Sequence, residues 1–136
     1  MQAAAMLHRL ERATIDHDLE ALVDCFAADY VNETPVHPAR GFRGRDQVRA
    51  NWRQIFAGVP DLRAAVRSRA VDGATVWSEW EMSGTRRDGA AHLMRGVVIF
   101  DVEDGRATAA RFSLEPVDQG DTDVTAAVHA AVGRTS

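Results

Sequence analysis

Apolar positions recur every three or four residues in the first half of the chain and every second residue in the other half. Met6, Leu7, Leu10 and Ala13 keep helical spacing, which predicts a first helix over residues 6–13. Asp16 or Asp18 suits the start of a second helix, because a carboxylate there accepts a free backbone N–H. Leu19, Leu22, Val23 and Phe26 form the apolar stripe of that helix. A short strand around Tyr30 follows, then a loop broken by Pro35 and Pro38. A third helix is expected from Asp46, as N-cap, through Val48, Trp52, Ile55 and Phe56 to Gly58.

Beyond Pro60 the period changes to two. Leu62 to Ala70, Ala74 to Ser83, His92 to Val102 and Ala107 to Glu115 read as strands, separated by Asp72-Gly73, Asp88-Gly89 and Asp104-Gly105. Three helices followed by a meander of antiparallel strands define an α+β architecture, a curved antiparallel sheet wrapped around helices. Alternation puts Ser78, Trp80 and Met82 on one face of their strand and Trp77, Glu79 and Glu81 on the other. The sets containing Trp80, Val98 and Phe112 are the more apolar and are expected inside. Trp77, Val97 and Ile99 leave the outer face greasier than solvent requires, which points to a homodimer through that face.

Composition narrows the class. The chain has 136 residues, 46 % of them hydrophobic and 26 % charged, enough for one globular domain with its own core. Residues 1–118 are expected to form that domain. From Gln119 the sequence shifts to small and polar residues, a loosely attached helix or a frayed tail over residues 119–136. A net charge of −4 with scattered arginines argues against a nucleic-acid partner. No long apolar run suggests a membrane span or leader, so a cytoplasmic location is expected. Cys25 stands alone in ALVDCFA and reads as a buried, inert thiol. No His, Asp and Glu set has metal-ligand spacing on one element, so no metal is expected.

The candidate chemistry gathers near residue 30. Tyr30, Asn32 and Thr34 share one strand face, a phenol, an amide and a hydroxyl beside an apolar helix. Glu33 is out of phase with them unless the strand bulges before Pro35, which would turn it into an apolar pocket and raise its pKa. His37, with an ordinary pKa near neutrality, is a second proton carrier at the pocket entrance. His92, Arg95 and Glu115 lie further off. Alternation places Glu115 opposite Phe112, on the outer face, paired with Arg95 or Arg111; a direct role at the end of the last strand is the alternative. Thr34, Trp52, Phe56, Trp80, Met82, Val98, Phe100 and Phe112 are the expected lining of a pocket for a small apolar ligand.

The order Tyr30-Val31-Asn32 with Pro35, Phe42-Arg43-Gly44-Arg45-Asp46, Trp52, Pro60-Asp61-Leu62, Glu79-Trp80, Ser83-Gly84-Thr85 and Gly96-Val97 through Phe100 to Asp104-Gly105-Arg106 resembles the nuclear transport factor 2-like superfamily in its SnoaL-like branch. The resemblance spans about residues 6–118. It implies a cystatin-like, cone-shaped barrel with a deep pocket, commonly dimeric and usually free of metal or organic cofactor. Its members include polyketide cyclases, ketosteroid isomerases, limonene-type epoxide hydrolases and proteins without catalysis. Tyr30 and Asn32 match positions that hold a nucleophilic water in the epoxide hydrolases. The Asp–Arg–Asp trio of those enzymes falls at Trp80, Met82 and Phe112, none of which moves a proton. The ketosteroid isomerase base falls at Thr34 and its oxyanion donors at about Leu10 and Val98, so that mechanism is absent too. What remains implied is a cofactor-independent cyclisation, isomerisation or water addition on a polyketide- or terpenoid-like molecule. Its catalytic candidates are Tyr30, Asn32, Glu33 and His37. A non-catalytic ligand binder and a dimeric interaction module are the alternatives.

Overall fold

The computed structural model describes residues 2–133. Helix α1 (Gln2–Ile15) extends the expected helix by a turn at its start, and its buried Met6, Leu7, Leu10 and Ala13 form the predicted stripe. Asp18 caps α2 (Leu19–Asp24), its Oδ1 accepting the Ala21 N–H at 3.1 Å. Asp16 is instead held by Arg12 at 3.1 Å. Phe26, expected on α2, begins β1 (Phe26–Glu33), because the helix ends at Cys25. A single 3₁₀ turn (Pro38–Arg40) and the two-residue β2 (Phe42–Arg43) lead into α3 (Arg45–Gly58). Gly44, at φ 102°, occupies the N-cap position, and Asp46 falls in the first turn of α3, where its charge still suits the helix dipole.

Four long strands follow: β3 (Arg63–Asp72), β4 (Thr75–Thr85), β5 (Ala91–Glu103) and β6 (Arg106–Pro116). The last hairpin turns on Asp104 and Gly105, at φ 51° and 77°, the paired positive angles of a tight hairpin turn. The tail is helical over α4 (Val124–Ala131).

The α+β class and the three N-terminal helices against a curved sheet are as the sequence predicts. The sheet itself is mixed, and it is open rather than closed into a barrel. Its order is β2-β1-β6-β5-β4-β3, and β1 runs parallel to β6 while the other pairs are antiparallel. The local pattern of β1 carries no signal for that long-range partner.

The core lies between the helices and the inner sheet face. Met6, Leu7 and Leu10 of α1 join Val76, Trp80, Val98 and Phe100 in one buried cluster. In β4 burial alternates without a break from Val76 to Met82. Ser78 is tolerated in this core because its hydroxyl donates to the Val98 carbonyl at 2.7 Å and accepts the Trp80 indole N–H at 2.9 Å. Gly96 lies in register with Trp80 on one side and Leu114 on the other. A Cβ at Gly96 would lie 1.9 Å from the Ser113 carbonyl oxygen, and its φ of 155° is one that side chains rarely adopt.

The α3–β3 connection is tied to this frame at two points. The His17 ring stacks on Phe56 at 4.6 Å, and its Nε2 donates to the Leu62 carbonyl at 2.8 Å. Asp61 Oδ1 accepts the Thr85 N–H at 2.7 Å, and that bond holds its carboxyl below the ordinary carboxylate range.

Candidate functional site

A cavity of about 410 Å³ opens between α3, β1 and the last three strands. Phe26, Tyr30, Asn32 and Thr34 line it from β1 and the residue after it, and Val48, Asn51, Trp52 and Ile55 from α3. Met82, Met94, Phe112 and Leu114 close the sheet side. Arg40, Phe42, His92, Glu115 and Pro116 complete the wall.

Strand geometry decides the polar floor. Residues 30, 32 and 34 are two apart, so they face one way, and the structure turns all three into the cavity. Tyr30 and Asn32 are 1 % and 7 % exposed. The Tyr30 hydroxyl donates to Asn32 Oδ1 at 2.7 Å, the separation of an O–H···O bond. Burial pushes the Tyr30 pKa up, so the phenol keeps its proton and remains a donor. With Oδ1 engaged, the Asn32 amide nitrogen points toward Thr34 Oγ1 at 3.5 Å, a loose contact that leaves an N–H donor for a ligand oxygen.

Glu33 does not join this group. It is exposed and pairs in register with Arg111, directly after Asn32 with Ala110. The bulge before Pro35 that would turn Glu33 inward is absent; the register shifts earlier in β1, between Phe26 and Val31. Alternation therefore holds through Glu33 and keeps it on the outer face.

Glu115 takes the opposite course. It lines the cavity, and its Oε1 meets His37 Nε2 at 2.5 Å, while Arg40 Nη1 stands 3.9 Å from Oε2. The expected outer-face pairing with Arg95 or Arg111 does not occur: Arg95 holds Glu81 at 2.9 Å and Arg111 faces Asp101 at 3.9 Å. His37 is half-buried behind Glu115 and is not part of the cavity wall.

Of the expected lining, Thr34, Trp52, Met82 and Phe112 reach the cavity. Trp80, Val98 and Phe100 do not; they are 3 %, 2 % and 1 % exposed and fill the core against α1. Phe56 also stands outside the wall, packed between His17 and Trp52. The sequence reading missed Asn51, Met94 and Leu114. Asn51 was findable, since residues 48, 51, 52 and 55 follow helical spacing and Asn51 shares the face of Trp52. Among the described residues, no three His, Cys, Asp or Glu side chains converge as metal ligands do. No described helix is long and apolar enough to cross a membrane.

The sequence pattern of the SnoaL-like domain matches residues 7–110, a stretch that contains most of this cavity. The chain belongs to the SnoaL-like family. No curated protein matches it. Among solved structures, IdmH from Streptomyces antibioticus, assigned as a polyketide cyclase, superposes with a TM-score of 0.72 at 23% identity, covering 85% of this chain and 92% of that one. An LEH-like epoxide hydrolase from M. tuberculosis gives 0.69 at 20% identity, over 81% of this chain and 80% of its own. A computationally designed binder of 17-OHP gives 0.69 at 21% identity, over 81% and 90%. Likeness at these identities establishes the fold that the SnoaL-like chain shares with them. The reaction has to be argued from the cavity.

Proposed function

We propose that this SnoaL-like chain is a cofactor-independent enzyme that moves a proton on a small apolar carbonyl compound of polyketide or terpenoid type. Cyclisation, isomerisation and water addition are the reactions within its reach. The observation that carries the reading is the Tyr30–Asn32 hydrogen bond, a buried donor pair on the floor of an aromatic- and methionine-lined cavity. The Asn32 N–H binds the substrate oxygen, and the Tyr30 phenol polarises the amide from behind. Glu115 is the carboxylate in the wall and serves as base. It takes a proton from the carbon beside the carbonyl, the C–H electron pair enters the enolate, and the charge lands on the oxygen that Asn32 holds. His37, at 2.5 Å, and Arg40, at 3.9 Å, orient the Glu115 carboxylate. Trp52, Met82 and Phe112 shape the apolar space around the reacting carbon.

Deuterium wash-in at the carbons flanking the carbonyl of small apolar ketones, followed by NMR, tests the reading. The intact protein accelerates exchange over buffer, Asn32→Ala and Glu115→Gln lose the acceleration, and Glu33→Gln keeps it. Ketones that bind without any accelerated exchange would sink the proposal.

That outcome would leave a non-catalytic ligand-binding protein, favoured by one observation: Glu115 is shared with His37 and half-exposed rather than sealed inside. The designed 17-OHP binder on the same fold supports that such a cavity suits a binder. The open cavity speaks against a module that only mediates contacts. We also propose that two copies pair through the outer sheet face, where Trp77 is 49 % exposed beside Ile99 and Val97.

A further inference from the structure

We propose that α4 is an arm that docks on a second copy of this chain. Its seat is the groove lined by Ala64, Ala65, Leu93 and Val117 between Arg63 and Arg95. The proposal rests on the pairing of copies through the outer sheet face and names the element that extends it.

The helix is encoded with care yet buries nothing in its own chain. Asp123 caps it by accepting the Ala126 N–H at 2.9 Å, and Gly133, at φ 74°, ends it. Val124, Val128 and Val132, four residues apart, form one apolar stripe and are 77 %, 52 % and 64 % exposed. A helix of eight residues gains too few backbone bonds to persist alone in water, so a packing face has to hold it.

The groove supplies that face. It has a volume of about 300 Å³ and sits on the ends of β3, β4 and β5. Ala64, Ala65, Met82, Leu93 and Val117 make its apolar part and Ser83 and Glu81 its polar part, and Leu93 is 37 % exposed there. The arm leaves the sheet from the groove itself, since the Val117 N–H donates to the Leu93 carbonyl at 2.9 Å. The isolated chain nevertheless leaves α4 unburied beside its own groove. In a two-fold pair each copy lends its arm to the other, and the contact closes on itself. The linker over residues 118–123 reaches about 20 Å when extended, enough to cross to a neighbour seated on the same face.

Charge fits the same seat. Asp118, Asp121 and Asp123 precede or cap α4 with no basic residue among them. Among the described residues Arg63 has no carboxylate within ion-pair distance, and Arg95 shares Glu81 with Arg67, at 2.9 Å and 3.0 Å. Among those residues Glu81 is the one carboxylate in the groove lining, against Arg63 and Arg95, and the arm brings three more.

Sedimentation of the full chain and a cysteine pair test the proposal together. The expected results are a dimer, a dissociation constant at least ten times weaker in V124D/V128D with the monomer's thermal stability unchanged at dilutions where both proteins are dissociated, and a covalent dimer on oxidation of L93C/V128C. A single-chain disulfide in L93C/V128C overturns it, because the arm then seats on its own sheet. A dimer indifferent to V124D/V128D but dissociated by Trp77→Glu also overturns it, while leaving the pairing intact. A chain that stays monomeric at every concentration overturns both. A dimer indifferent to Trp77→Glu as well would place the interface elsewhere and likewise overturn both.

Discussion

Tyr30 and Asn32, two residues apart on β1, form a 2.7 Å hydrogen bond in which the phenol donates and the amide oxygen accepts. Because burial holds the phenol in its protonated form, the direction of this bond is fixed across the working pH range. The amide is thereby turned with its N–H groups toward the cavity. Tyr30→Phe removes the donor and leaves Asn32 Oδ1 buried without a partner. That substitution should cost about 1–3 kcal/mol of stability in denaturant titration. It should also weaken ligand binding, because the freed amide can rotate. Asn32→Ala should retain the fold and lose about 100-fold or more in proton-exchange rate, a barrier increase of about 2.7 kcal/mol.

Trp52 and Trp80 provide a paired test of where core ends and cavity begins. Trp80 is buried with its indole N–H satisfied by Ser78, so Trp80→Ala should destabilise by about 3–5 kcal/mol. Trp52 is half-buried on the cavity wall. Trp52→Ala should cost less than half as much by thermal melt, while changing ligand affinity strongly. Equal stability losses would show that the cavity wall is ordinary core.

Gly96→Ala should fail more severely than either. Its Cβ would meet the Ser113 carbonyl at 1.9 Å, and both β5 and β6 would have to shift. A loss of more than about 3 kcal/mol, or insoluble expression, is expected, combining backbone strain with overpacking. A soluble variant with an unchanged melting temperature would contradict the close approach.

Asp61 governs a pH-dependent tie. Its folded-state pKa lies below the unfolded value, so its contribution is fully present above the ordinary carboxylate range and fades as pH falls through the folded pKa. Asp61→Asn should therefore lower the melting temperature at pH 7. The gap to the unmodified chain should close in acid, below about pH 4. A gap that stays constant from pH 7 to pH 3 would assign the tie to packing rather than to charge.

Much of this architecture is legible from alternation and spacing. In β4 the pattern from Val76 to Met82 names the inner face residue by residue, and on β1 the same rule gathers Tyr30, Asn32 and Thr34. Alternation says which face a side chain takes but not how far along the sheet it sits. Trp80, Val98 and Phe100 share the inner face with Met82 and Phe112, yet they lie against α1, beyond the cavity. Glu115 escaped the rule because it stands next to the end of its strand. It holds register with Arg95, yet its carboxylate is drawn to His37 on a loop that strand periodicity does not describe. The parallel β1–β6 pair is equally silent, since neither strand's own residues encode which distant strand will lie beside it.

That pairing sets the order in which the site can come into being. His37 and Glu115 are 78 positions apart, and β1 waits unpaired along that edge until β6 has been made and laid beside it. Closing so long a loop is slow compared with zipping the β3–β6 hairpins, which need only local contacts. The floor residues Tyr30 and Asn32 therefore meet their wall, Phe112, Leu114 and Glu115, only when β6 is laid beside β1. Without β6 in place the cavity lacks that wall, so ligand that binds the finished cavity also stabilises the β1–β6 pairing.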